Sequence, residues 1–253
     1  MNSVETLRLD QALVELRLAP TRSKAQQLIA NGDVEVFMRG EWRVSTQASL
    51  PVVAAPENVR VKPNSEILKY VSRGGLKLEA ALAHLSLDVQ GFRCLDLGIS
   101  TGGFTDCLLR AGAAAVCGVD VGHGQLHAHL KGDPRVTSFE GVNVKDLGSY
   151  PEIQKWIGQG VDLCVADLSF ISLLSLMDGI LEALPAHARI LALIKPQFEL
   201  GAAALNKAGV VTDASLFADL ERRSRASLPR ASYFPSALKG QDGNQEFFLY
   251  GGR

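Results

Sequence analysis

A lysine that closes an apolar run, as in Leu193-Ile194-Lys195-Pro196, is chemically conspicuous. Lysine is rarely buried without a partner. A second apolar run ends Ala166-Asp167-Leu168-Ser169-Phe170. If both runs are strands of one open parallel sheet, Asp167 and Lys195 lie near a single crevice beyond the strands' carboxyl ends, where ligands bind. An amine there can take a proton when neutral or stabilise a developing oxyanion when charged. The plain alternatives are a loop-capping aspartate and a surface lysine whose stem covers the sheet edge.

The strongest local signal is Cys94-Leu95-Asp96-Leu97-Gly98-Ile99-Ser100-Thr101-Gly102-Gly103-Phe104. An apolar strand ends in an acid, then a turn rich in glycine, then a helix. Glycines in such a turn let a ligand approach the backbone. The spacing of Gly98, Gly102 and Gly103 is not G-x-G-x-x-G, which counts against a nicotinamide dinucleotide. S-adenosylmethionine has no pyrophosphate to cradle and fits better, with Asp96 facing its amino group. Ser100, Thr101 and Phe104 complete the candidate loop. Asp120, with Val121 beside it, ends the next strand 24 positions after Asp96, where a ribose-binding carboxylate stands in nucleoside-cofactor folds. Asn143 follows the third strand, where adenine contacts often come. Each of these is also an ordinary turn or cap residue.

The elements needed to position these groups are legible. Short apolar strands at 93–98, 115–121, 136–140, 161–167 and 189–194 alternate with helical patterns, which predicts a parallel sheet with helices on both faces. Segments 231–238 and 245–250 flank the turn-rich Lys239-Gly240-Gln241-Asp242-Gly243-Asn244, which predicts an antiparallel pair at the sheet edge. The front of the chain reads differently. Leucines at 7, 9, 13, 16 and 18 predict a first helix with Asp10 as cap. Thr21 caps a second, Arg22 to Ala30, stopped by Asn31-Gly32. Val34, Val36, Trp42 and Val44 alternate about Arg39-Gly40 as in a hairpin, and Val59 and Val61 mark another strand. Tyr70-Val71-Ser72-Arg73-Gly74-Gly75 reads as a linker, with a helix from Leu76.

The 253 residues are 47% hydrophobic and 21% charged, enough to bury a core in one or two domains. The net charge of −1 hides an asymmetry: up to Lys77 there are 11 Lys and Arg against 8 Asp and Glu, leaving −4 for the rest. A basic front fits a polyanion-binding module. Its phosphate-contact candidates are Arg8, Arg17, Arg22, Lys24 and Arg39, with Arg73 in the linker. The four cysteines have no zinc spacing and read as buried free thiols. There is no signal peptide and no apolar run near the ~20 residues of a membrane span, so a cytoplasmic protein without a metal is expected.

Five motifs, in order, carry a resemblance: Tyr70-Val71-Ser72-Arg73-Gly74-Gly75-Leu76-Lys77-Leu78; Asp96 through Asp106; Asp167-Leu168-Ser169-Phe170-Ile171-Ser172-Leu173; Leu193-Ile194-Lys195-Pro196-Gln197-Phe198-Glu199; and Gly243-Asn244-Gln245-Glu246-Phe247. Together they resemble the TlyA family, often labelled haemolysins. The resemblance implies an α/β fold: a Rossmann-like S-adenosylmethionine-dependent methyltransferase domain of the FtsJ type, with a seven-stranded, mostly parallel sheet and an antiparallel C-terminal strand, over residues 77–253. A small α+β S4-type RNA-binding domain, 1–67, precedes it, with a linker at 68–76. It also implies a catalytic tetrad mapping onto Lys77, Asp167, Lys195 and Glu246, and ribosomal RNA or its subunits as partner, methylated on a cytidine 2′-hydroxyl. The sequence departs from the family at the hairpin 34–41, which lacks the usual Val-Asn-Gly turn, and at Thr212, where arginine is expected. A membrane-active haemolysin, a non-catalytic ribosome-assembly factor and a dehydrogenase are the competing readings. The first needs an amphipathic or spanning segment, the second a missing tetrad residue, the third a different glycine spacing.

Overall fold

The computed structural model describes residues 6–63, 65–240 and 242–253. The chain divides into two compact units, one ending at Lys69 and the other running Tyr70–Arg253.

The first unit contains β1 (Thr6–Arg8), α1 (Leu9–Glu15), α2 (Arg22–Ala30), β2 (Val34–Met38), β3 (Glu41–Val44), β4 (Pro51–Val53) and β5 (Val59–Val61). Thr21 caps α2, its hydroxyl accepting from the backbone N of Lys24 at 3.2 Å. Leu9, Leu13, Leu28 and Ile29 pack against Val34, Val36 and Val59. The hairpin turns at Arg39-Gly40, and β5 lies on its other side, giving the order β3-β2-β5. A second, two-stranded sheet pairs β1 with β4. Its strands have three residues each, too few for alternation to register in a sequence. Leu7 therefore belongs to a strand, and the first helix is shorter than its leucines imply.

Asp10 is not the cap of α1. It lies in the first turn, fully buried. Its carboxylate accepts from Arg8 Nε at 3.1 Å, Arg22 Nε at 2.9 Å and Gln26 Nε2 at 2.8 Å. These bonds, that from Arg8 foremost, hold the carboxyl well below the usual carboxylate range.

The second unit contains α3 (Arg73–His84), β6 (Arg93–Leu97), α4 (Gly103–Arg110), β7 (Ala115–Asp120), α5 (Ala128–Lys131), β8 (Val136–Glu140), α6 (Pro151–Ile157), β9 (Leu163–Ala166), α7 (Met177–Ala183), β10 (Arg189–Ile194), α8 (Pro196–Glu199), α9 (Ser215–Ser227), β11 (Ser232–Pro235) and β12 (Phe247–Gly252). The sheet order is β11-β12-β10-β9-β6-β7-β8. Neighbours from β8 to β10 are parallel; β12 runs antiparallel to both β10 and β11. Alternate strand residues feed two cores. Leu95, Leu97, Cys117 and Val119 pack with Ile153, Met177, Ile180 and Leu220 of α6, α7 and α9. Cys94, Val116, Leu191 and Leu193 pack with Leu78, Leu82 and Leu108 of α3 and α4. The four cysteines are free and buried.

The run 70–75 is not the wholly irregular stretch that its two glycines imply. Leu68 closes a 3-10 turn, Glu66–Leu68, and α3 begins at Arg73. Gly75 is tolerated inside α3 because its missing side chain leaves room for Tyr70: a Cβ there would lie 2.4 Å from the ring.

A carboxyl with a depressed pKa stabilises the fold above its unfolded value, near ~3.9, and that contribution fades as pH falls toward the folded value. Asp10→Asn is therefore expected to lower the thermal midpoint at neutral pH, with the gap to wild type closing below about pH 4. Thermal unfolding across that range checks it; a gap independent of pH would contradict the charged role.

Candidate active site

The order of the strands reverses between β6 and β9, and ligands of open parallel sheets bind beyond the carboxyl ends at such a point. Leu97 and Ala166 are register partners, so the loops that follow them start side by side. They touch. Gly98 has φ +86°, and a Cβ on it would lie 2.6 Å from the carbonyl oxygen of Asp167.

The next two strands bring the remaining acid and amines. In β10 and β12 the last register pair is Ile194 with Phe247. Continuing by one residue sets Lys195 opposite Glu246, on strands ~4.8 Å apart. Lys195 Nζ lies 2.7 Å from Asp167 Oδ1, close enough for an ion pair though off the angle of a hydrogen bond, and donates to Ser169 Oγ at 2.8 Å. Lys77, on α3, donates to Glu246 Oε2 at 2.5 Å. Both partners of that second pair are buried. The four residues thus form two lysine–carboxylate pairs, one between adjacent strand ends and one from helix to strand.

The glycine loop follows β6. Asp96 is buried, and Thr105 Oγ1 donates to its Oδ2 at 2.6 Å, while Oδ1 has no hydrogen-bond partner. Burial, reinforced by the charges of Asp167 and Asp120 and opposed by Thr105, pushes the Asp96 carboxyl up to about 7. Asp120 accepts from the backbone N of Ser100 at 2.8 Å and of Gly122 at 2.7 Å, so it braces the loop. Those bonds use about two of its four acceptor sites. The loop also departs from expectation. The space above its glycines is filled by the protein: a Cβ on Gly102 would lie 2.2 Å from Leu130 and one on Gly103 2.1 Å from Ser72 Oγ. Phe104 points into the core, 3% exposed. The small size of Gly102 and Gly103 lets this turn and helix pack against Leu130 and Ser72. Ser100, Thr101 and the apolar Val121 are exposed. Asn143 is also exposed and caps a 3-10 turn by accepting from Lys145 N.

Residues 70–253 match the FtsJ-like methyltransferase family and residues 7–36 match the S4 domain. The chain is 39% identical over 252 residues to a Mycobacterium tuberculosis protein named 16S/23S rRNA (cytidine-2'-O)-methyltransferase TlyA, covering 96% of this chain and 88% of that one. The chain belongs to the TlyA family. Another relative, Hemolysin A of Brachyspira hyodysenteriae, is 34% identical, covering 96% of this chain and 99% of that protein. A solved structure of a Streptococcus thermophilus protein that carries the hemolysin name superposes with TM-score 0.69 at 32% identity, covering 98% of this chain and 88% of that chain. Among the described residues no helix is long and apolar enough to cross a membrane, and no cluster of His, Cys, Asp and Glu could hold a metal ion.

Within this TlyA-family chain two buried residues, Glu199 and Asn244, brace the loops around these lysine–carboxylate pairs. Glu199, buried at the end of α8, accepts from Ser172 Oγ at 2.6 Å and from the backbone N of Leu173 at 2.7 Å. It ties the loop carrying Asp167 and Ser169 to the helix that follows Lys195. Asn244, 1% exposed, accepts from Val211 N at 2.9 Å and donates to Gly209 O at 3.0 Å, fastening the strap at 205–211 two residues before Glu246. Both stand in motif runs, but nothing local in sequence names a partner more than 20 positions away.

The phosphate-contact candidates fare unevenly. Arg8 and Arg22 are exposed but share Asp10. Lys24 is 7% exposed, which turns it inward. Arg39 is exposed at the hairpin turn. Arg73 donates to the carbonyl of Lys239 at 3.3 Å, in the loop before β12.

A carboxyl whose folded pKa is raised contributes stability that is full below its unfolded value and lost as pH rises through the folded one. Ligand-free protein should therefore lose stability between about pH 4 and pH 7 through Asp96, and Asp96→Asn should remove that slope. Thermal unfolding of both proteins over this range decides; parallel curves would contradict the buried, unpartnered carboxyl.

Proposed function

We propose that this protein transfers a methyl group from S-adenosylmethionine to the ribose 2′-hydroxyl of a cytidine in ribosomal RNA, on ribosomal subunits in the cytoplasm. The observation that carries the reading is the pair of lysine–carboxylate contacts at the carboxyl edge of the sheet, beside the glycine loop at the strand-order reversal.

The residues at that edge suit the cofactor. Asp96 Oδ1 is a buried acceptor that lacks a donor, which an amino group supplies. Asp120 keeps acceptor capacity for ribose hydroxyls, and Val121, 64% exposed, offers an apolar surface next to it. When bound, the cofactor supplies a methyl group already activated on a cationic sulfur. The protein's share is then to place the acceptor oxygen in line and to manage its proton. Positioning of this kind supplies of order 7–11 kcal/mol in favourable cases. Lys195 Nζ is directed by Asp167 and Ser169 and serves the 2′-oxygen. Lys77, held by Glu246, brings a second positive group to the developing oxyanion. Phe170, beside Ser169 and 91% exposed, offers an aromatic face to a nucleobase.

The N-terminal unit holds the RNA backbone in this reading. Arg39 and the outward sides of Arg8 and Arg22 make the phosphate contacts, and affinity should fall steeply with salt.

The test is incubation of unmodified ribosomal subunits with labelled S-adenosylmethionine, followed by nucleoside analysis. Label is expected in 2′-O-methylcytidine. Lys195→Ala should lower transfer roughly 100- to 10,000-fold with cofactor binding unchanged by calorimetry. Label in a base, or turnover retained in that variant, refutes the assignment.

A further inference from the structure

The outer face of the three-stranded sheet β3-β2-β5 has no part in the site described above. Directly paired strand residues share a face. The register pairs Phe37 with Trp42, and Glu35 with both Val44 and Arg60. These five side chains therefore stand together, on the side opposite the buried Val34, Val36 and Val59. Phe37 is 41% exposed and Val44 51%. The Phe37 and Trp42 rings lie 5.4 Å apart at 59°, and the Arg60 guanidinium sits 4.1 Å from the centre of the Trp42 ring. Met38, also exposed, and Arg39 follow at the tip. Arg39 has no ion-pair partner among the described residues, unlike Arg43 and Arg60, which meet Glu41 and Glu35.

We propose that this face is a stacking platform for an unpaired nucleobase of the RNA. The inference rests on the reading of RNA as substrate and adds which surface holds it and by what chemistry. An exposed aromatic ring, Phe37, walled by Trp42 and with the Arg39 guanidinium at the nearby tip, is what sequence-tolerant single-strand binding requires: a base stacks on the ring while the arginine meets a phosphate. The exposed Arg39 at the tip, on the basic front of the chain, favours a polyanion over a lipid tail, and the exposed ring beside it favours a polyanion whose bases can stack. The match to the S4 domain ends at residue 36, so Phe37, Trp42, Val44 and Arg60 of this face lie outside it.

The chain has two tryptophans, Trp42 and Trp156. Full-length protein carrying Trp156→Phe therefore reports on Trp42 alone. A single-stranded oligocytidylate should quench its fluorescence, and an RNA duplex of the same length should bind without quenching. Phe37→Ala and Trp42→Leu should each weaken the oligocytidylate by at least about fivefold while leaving the duplex unaffected. Trp42→Phe should keep the affinity, which separates loss of a ring from loss of fold. Single-strand binding with silent Trp42 fluorescence and full affinity in Phe37→Ala overturns the proposal. So does equal weakening for duplex and single strand. Weakening toward whole subunits but not naked RNA assigns the face to a ribosomal protein and also overturns it. Wild-type methyl transfer to subunits is read in parallel: transfer with a silent Trp42 defeats only this platform, whereas quenching without transfer defeats the catalytic reading and leaves the platform standing.

Discussion

The buried contact between Lys77 and Glu246 joins the helix that opens the second unit to the strand that closes it. Two charges out of water cost several kcal/mol each, and stripping either of its partner costs about 3–5 kcal/mol. Such a pair is a poor way to gain stability, since apolar residues of like size would serve as well. It is a good way to hold an amine at a chosen point. The antiparallel register of β10 and β12 ends with Ile194 opposite Phe247, so Lys195 and Glu246 each lie one residue beyond that pair, at the same end of the two strands. Lys195 in turn leans on Asp167, one strand further along. Helix, three strand ends and two ion pairs form one chain of constraint across the carboxyl edge of the sheet.

The cofactor side of the crevice is built on the same economy. The glycines of the loop after β6 are small because Leu130, Ser72 and the carbonyl of Asp167 need the space, so the loop is pressed onto its own protein and cannot drift. Asp120 bonds that loop from the next strand. Asp96, at the end of the strand beneath it, keeps one buried oxygen without a hydrogen-bond partner. A buried acceptor without a donor is unfavourable, and it is the point at which a bound amino group gives the largest return. Glu199 and Asn244 extend the support outward, each tying a flanking loop to the element that bears a lysine or glutamate of the tetrad.

How much of this could be read in the residues depended on periodicity. The parallel strands were visible because apolar runs of four to six residues alternate with helices, and the terminal antiparallel pair because a turn-rich stretch divides it. β1 and β4, at three residues each, carry no period to see. The helix start at Arg73 was hidden by Gly74-Gly75, whose reason for being is the ring of Tyr70, a neighbour found only in three dimensions. At the site, strand-end acids and the closing lysine were legible as types in a place. The role of Lys77 and Glu246 came from family resemblance, and their partnership crosses 169 positions. The glycines are legible as a tight turn, but a sequence does not say which protein groups press on them. Lys24 was misplaced for a simpler reason: a helix start faces two ways, and this lysine takes the inner one.

The dependence of Lys77 on Glu246 is tested most directly by a double-mutant cycle on Lys77→Met and Glu246→Gln, with methyl transfer to ribosomal subunits as readout on variants shown to be folded. Residues that act as a unit are non-additive. The double variant should be about as slow as the worse single variant. Losses that multiply independently would contradict the account, because they would mean that each side chain serves catalysis without the other.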